Sequence, residues 1–370
     1  MEKETRYLPH ELIIQILLRL PVKSLIRFKC VSKSWFSLIS HPNFGNSHFQ
    51  LSATQTRRIL CIPNSPTKIL SVDFESSVNN DFIDFESSLL NNDFALLNPN
   101  FSLVSLQIKG SCRGFICLRG SSNLYLWNPS TGVHRQIPLS PFDYELKGYY
   151  FGHLYGFGYD QSRDDYLVVS MSCDPTYDSN SSHLEFFSLR DNTWKEIEGT
   201  QFPYMNASSH PYPKVGPLFN GAIHWLARRC DLQVYVIVAF DLMERKLFEM
   251  PFPDDDNIPT HCDLWVFGEF LSILANDYNN NMIEIWVMKE YKVHSSWTKT
   301  LVLPVFHSFD LIYSTKNGDF IGVEGDLGLV KYNDKGKWLG YCSYHRNPRV
   351  SQEVMYTESL LSLPGDGDQI

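Results

Sequence analysis

Five times between residues 124 and 342 the chain repeats one phrase: an apolar strand ending in an aromatic residue, a polar turn, and a second strand that in four of the five closes on a proline. It reads LYLWNPSTGVHRQIPLSP from 124, LEFFSLRDNTWKEIEGTQFP from 184, VAFDLMERKLFEMPFP from 238, IEIWVMKEYKVHSSWTKTLVLP from 283 and GLVKYNDKGKWLGYC from 328. The aromatic anchors Trp127, Phe187, Phe240, Trp286 and Tyr332 are spaced 60, 53, 46 and 46 residues apart. Propeller blades run roughly 40 to 50 residues each, so this spacing selects a ring of blades over a sandwich or a helical array.

Before each phrase stands another pair of β-type runs around a turn: GSCRGFICL at 110, YGFGYDQSRDDYLVV at 155, PLFNGAIHWLA at 217, VFGEFLSILAND at 266 and YSTKNGDFIGVEGD at 313. Two hairpins make a four-stranded blade. Five blades are legible from about residue 110, and strands between 51 and 109, joined by the C-terminal tail, are expected to close a sixth. Closure removes all but short, protected sheet edges.

The first 50 residues obey a different period. Pro9 stands where a first helical turn tolerates it, and Glu11 suits the positive end of the helix. Leu8, Leu12, Ile16 and Leu20 repeat at i+4, Ile13 and Leu17 widen the stripe, and Pro21 ends it. From Val22 onward, Leu25, Phe28, Val31, Trp35, Leu38 and Ile39 keep helical spacing until His41-Pro42. A three-helix packet this small has more apolar surface than it can bury within itself, so a patch is left for a partner or for the adjoining domain.

Charge divides the chain in the same place. The net charge is −9, yet residues 1–50 carry seven Lys and Arg against three acids, which leaves −13 for the remainder. An acidic body disfavours nucleic acid as a partner, and Arg27 is the only side chain of the Leu20–Trp35 stretch suited to reading base edges. No apolar run approaches the roughly 18 residues that span a bilayer, so no membrane role is expected. Lys23, Arg27, Lys29 and Lys33 would rim the apolar patch, and each taken alone reads as a solvated side chain whose stem covers apolar neighbours.

The eight cysteines contain no Cys-x-x-Cys pair. Cys112 and Cys117 read as small apolar residues half-buried in a hairpin, since zinc needs four converging ligands. Reduced thiols suit the cytoplasm or nucleus. No nucleophile elbow or phosphate loop is present, and neither a cofactor nor a metal is expected.

Residues 7–49 resemble an F-box almost without a gap. The likeness rests on Leu8, Pro9, Leu12, Ile16, Leu17, Leu20, Pro21, Val22, Leu25, Phe28, Val31, Lys33 and Trp35, with His41-Pro42 before Phe44. In that family the segment docks on the small acidic adaptor of the SCF-type cullin-RING ubiquitin ligase, so the resemblance implies that these residues bind the adaptor and, through it, the cullin and RING subunits. The phrases SCRGFICL, LWNPSTGVHRQIP, FGYDQSRDDYLVV, FNGAIHWLA and FDLMERKLFEMPFP resemble, in order, the plant F-box-associated domain, whose family includes the S-locus pollen type. The implied function is a non-catalytic substrate receptor that brings an unidentified protein target to the ligase. The alternatives are a propeller enzyme and an F-box scaffold outside the ligase.

The resulting expectation is an α+β multidomain chain: a three-helix F-box over 1–50, a connector with the first propeller strands over 51–109, and an all-β, propeller-like recognition domain of about six blades over 110–370. The connector holds a near-tandem duplication, VDFESSVNNDF followed by IDFESSLLNNDF, that reads as a solvated acidic loop.

Overall fold

A computed structural model describes residues 8–52, 57–63, 69–73, 94–97, 106–142, 153–173, 182–197, 204–207, 215–229, 231–253, 261–277, 279–304, 309–314, 318–324, 328–342 and 350–365. The duplicated acidic segment lies almost wholly outside these residues.

Six antiparallel sheets form a six-bladed propeller. Blade 1 is Arg57–Pro63, Ile69–Asp73 and Phe94–Leu97, and its innermost strand is Val350–Thr357 from the other end of the chain. Blade 2 is Gln107–Cys112, Phe115–Arg119, Asn123–Trp127 and His134–Pro138. Blade 3 is His153–Asp160, Asp165–Cys173, Ser182–Ser188 and Thr193–Glu196. Blade 5 is His261–Phe267, Phe270–Asp277, Met282–Met288 and Trp297–Pro304, and blade 6 is Phe309–Ser314, Phe320–Glu324, Gly328–Tyr332 and Trp338–Cys342. The ring is therefore closed at blade 1 as the sequence suggested, with Arg57 to Ile62 paired against Thr357 to Gln352.

Blade 4 departs from the pattern. Its long strands Ala222–Arg229, Val234–Asp241 and Lys246–Pro251 are regular, but the inner position is divided between Tyr204–Asn206 and Leu218–Phe219, which pair with opposite ends of Ala222–Arg229.

Both faces of each blade are apolar because each has a neighbour on either side, and one buried cluster fills each of the six gaps. The aromatic anchors all fall in third strands and pack toward the preceding blade. Trp127 meets Leu60 and Ile62 of blade 1, Phe187 meets Phe115 of blade 2, and Phe240 meets Leu167 and Phe186 of blade 3. Trp286 and Tyr332 repeat this against blades 4 and 5. The anchor thus recurs because every blade needs a large side chain to fill the wedge that widens away from the axis.

The polar residues between strands hold the turns. Asp241 Oδ1 accepts from the N–H groups of Met243 and Glu244 at 2.9 and 2.8 Å, and Asp277, Asn333 and Asp160 do the same two and more residues ahead. A short side-chain acceptor that mimics a backbone carbonyl is why Asp and Asn end these strands.

The head has four helices: α1 His10–Leu17, α2 Val22–Phe28, α3 Lys33–Ser40 and α4 Pro42–Ser52. Ser32 caps α3, its Oγ accepting from the Trp35 N–H at 3.2 Å. His41 is extended and ends α3 as expected, but Pro42 then opens a further helix beyond the three anticipated, because a proline at the first helical position gives up no needed donor. Leu17, Leu18, Leu25, Ile39 and Phe44 form the core of the head. The His48 ring, buried, shares a 2.8 Å hydrogen bond with Leu20 O and ties α4 to the end of α1.

The head sits on the face of the ring where the inner strands end. Phe49 of α4 packs against the blade 2–blade 3 cluster, and the Arg113 guanidinium, in the turn after Gln107–Cys112, donates to Asn46 Oδ1 at 3.1 Å.

Candidate docking site on the helical head

The thirteen residues marked from the sequence separate into three groups. Leu17, Val22 and Leu25 are buried, at 1%, 1% and 0% exposure, and leave no surface for a partner; they hold the helices together. Leu20, Phe28 and Trp35 are half-buried and packed on the same core, Phe28 and Trp35 meeting edge to face at 5.4 Å between centroids. Leu8, Pro9, Leu12, Ile16, Pro21, Val31 and Lys33 face outward.

The split runs along α1 and the residues just before it. Ile13 and Leu17 turn inward, whereas Leu8, ahead of the helix, and Leu12 and Ile16 within it stay 53%, 52% and 53% exposed. With side chains every 100° or so, the i+4 row and the row one residue ahead of it lie on adjoining strips, and the head has material to cover only one. Val31 and Phe36 are likewise exposed, at 62% and 48%. Phe36 was not among the residues marked from the sequence. Its signal was available, since in α3 the inward row is Trp35, Leu38 and Ile39, and Phe36 falls outside it.

Lys23 and Arg27 of α2 and Lys33 of α3 are exposed on the same helical head. Lys29 is half-buried, its ammonium 6.0 Å from the Phe36 ring centroid, and desolvation lowers its pKa. It supports Phe36 more than it faces solvent. Burial also lowers the pKa of His48, against the opposing effect of its bond to Leu20 O, so the ring favours the neutral form.

Cys112 and Cys117 lie on neighbouring strands of blade 2 and are fully buried rather than half-buried, and burial pushes both thiols up to about 12. Among the described residues no group of three or more His, Cys, Asp or Glu side chains could hold a metal ion, and no helix is long and apolar enough to cross a membrane.

Two family models match the chain where the structure divides it. Residues 7–47 match the F-box domain, and residues 60–349 match the F-box associated beta propeller domain. The chain belongs to the F-box proteins with an F-box-associated propeller. Arabidopsis thaliana supplies relatives along nearly the full length of this F-box protein. F-box protein CPR1 is 30% identical over 98% of this chain and 91% of its own length. F-box/kelch-repeat protein At3g23880 is 29% identical over 97% and 96%, and F-box protein At4g22390 is 27% identical over 98% and 92%. The F-box is thus the head, and exposed Leu12 and Ile16 belong to its first helix, with Leu8 just before it.

Proposed function

We propose that this F-box protein is the substrate-recognition subunit of an SCF-type cullin-RING ubiquitin ligase. The F-box takes the adaptor, and the propeller takes a target protein. The observation that carries the reading is the outward apolar set Leu8, Leu12, Ile16, Val31 and Phe36, with Lys23, Arg27 and Lys33 exposed on the same head of a chain that is otherwise acidic. Such a patch is what a partner with an apolar groove and acidic borders would cover, and the charges would speed encounter more than they tighten the complex.

The F-box occupies the face of the ring at which the inner strands end, so the target is assigned to the opposite face, where outer strands connect to the next blade. No residue of this chain need do covalent work. Holding target lysines near a thioester formed on another subunit raises their effective concentration, and that is the catalysis.

Affinity purification of the tagged protein from plant cells tests this reading. Adaptor and cullin should be recovered together with it, and a Leu12→Asp, Ile16→Asp double variant should recover neither. Recovery of neither by the unaltered chain would remove the ligase reading in favour of an F-box scaffold.

A further inference from the structure

The chain does not leave the molecule after Val350–Thr357 has closed blade 1. Glu358–Leu363 continue between the F-box and the ring, and successive side chains go opposite ways. Leu360 packs on the F-box core beside Leu17, Leu25, Ile39 and Phe44, while Leu361 and Leu363 enter the blade 2–blade 3 cluster. Leu360 thus adds to the core of the first fifty residues, more than 300 positions ahead of it in sequence.

Blade 2 holds this segment by its backbone. The buried Asn128 amide, Nδ2, lies 3.2 Å from Ser359 O, 3.1 Å from Ser359 Oγ and 3.3 Å from Leu361 O, while its Oδ1 accepts from the Ser130 N–H at 2.9 Å. Ser359 N–H in turn donates to Ser130 Oγ at 3.2 Å. A glycine stands on either side. A Cβ on Gly45 of α4 would lie 3.1 Å from Leu360 O. One on Gly114, which has φ +83°, would lie 2.9 Å from Thr357 O and would overlap the Ser359 side chain. Neighbouring Arg113 reaches past the segment to the F-box itself, bonding Asn46 and lying over the rings of Phe49 and Tyr159 at 5.2 and 4.1 Å.

We propose that Glu358–Leu363 is a positioning strap that, together with Arg113, fixes the F-box in one orientation on the propeller. Two domains joined only by the residues between Ser52 and Arg57 would otherwise be free to rock. Its use in the ligase rests on the function proposed above: with adaptor and target held at opposite ends, a fixed strap keeps target lysines within reach, and a loosened one would permit both binding events and slow transfer.

Spin labels at Cys30, exposed on the F-box, and at Ser121→Cys, on the far face of blade 2, report the orientation in full-length protein whose Cys173, Cys230 and Cys342 are serine. Asn128→Asp removes the donor that pins the strap, and Leu360→Ala removes only its grip on the F-box. For both, the distance distribution should at least double in width, and amide exchange in α1–α4 should quicken about tenfold or more with blades 3 to 6 unchanged. Leu360→Met should restore the narrow distribution. If Asn128→Asp disturbs blade 2 itself, Leu360→Ala decides. A distribution as narrow as wild type in Leu360→Ala, or exchange that rises equally in F-box and blades, overturns the strap. Adaptor capture by the unaltered chain is a separate readout, and its failure would remove the docking reading while the distance measurement still judged the strap.

Discussion

In one strand of blade 2, Leu124 and Leu126 face blade 3 and Trp127 faces blade 1, and all three are buried to within 2% of completely; in α1, Leu12 and Ile16 are as apolar, as regularly spaced, and more than half exposed. The difference lies in what each element has for neighbours. A blade has another blade on either side, so either face of its sheet finds a cluster to join. α1 has a single layer of short helices on one side and solvent on the other, and about 45 residues cannot wrap it. Apolar periodicity therefore marks a core in the ring and an unmet surface in the head.

The sharpest way to break this contrast is to truncate one residue of each kind. Phe240, at 0% exposure between blades 3 and 4, should cost about 3 to 5 kcal/mol as Phe240→Ala, by lost burial and the cavity left. Leu12→Ala should stay within about 0.5 kcal/mol of wild type in the same urea titration. Equal losses would mean that α1 is packed against something within the molecule.

Acid should find the ring before the docking patch. His224 is buried in blade 4 with its Nε2 2.8 Å from the Tyr291 hydroxyl, and desolvation holds its pKa down at about 4. The folded protein favours the neutral ring, so its contribution is whole above the unfolded value near 6.5 and is lost as pH falls toward 4. That loss is about 3 kcal/mol at most. His224→Gln should flatten the fall in stability over this window, and an unchanged slope would place the acid sensitivity elsewhere.

Smaller effects sharpen the head. Ser32→Ala removes the α3 cap and should cost about 1 kcal/mol, seen as faster amide exchange confined to α3 and its neighbours. Replacing Lys23, Arg27 and Lys33 by Gln should lower the association rate with an acidic adaptor and its dependence on salt, and alter dissociation much less. A salt-independent rate in the unaltered protein would reduce these cations to solvated stems.

The blades were legible because their devices are local. Aromatic anchors, prolines and the Asp or Asn of each turn repeat within one hairpin, and that is why the third strands fall where the spacing put them. Blade 1 was legible only in outline, since its inner strand comes from the other end of the chain. The divided inner position of blade 4 was not legible, because Tyr204–Asn206 and Leu218–Phe219 are too short to show a period. In the head, the helices could be read but not the outward side of α1: Leu12 and Ile16 are as apolar as Ile13 and Leu17, and only the packing of α2 and α3 chooses between them. The same ambiguity brought Leu17, Val22 and Leu25 into the docking set, although they are core, and left Phe36 out. Ser-Leu-Leu-Ser-Leu at 359–363 reads as a plain apolar tail until its two partners are seen on different domains.

The most direct test titrates purified SCF adaptor against the unaltered protein and against Leu12→Asp and Ile16→Asp separately. These positions are preferable to Leu20, which is half-buried on the head core and whose carbonyl oxygen accepts from the His48 ring, so that a charge there would also strain the fold. A carboxylate placed in a contact that must shed its water should weaken binding about 100-fold or more while the melting temperature stays unchanged. Binding within twofold of the unaltered protein in both variants would contradict the claim that the outward face of α1 is the docking site.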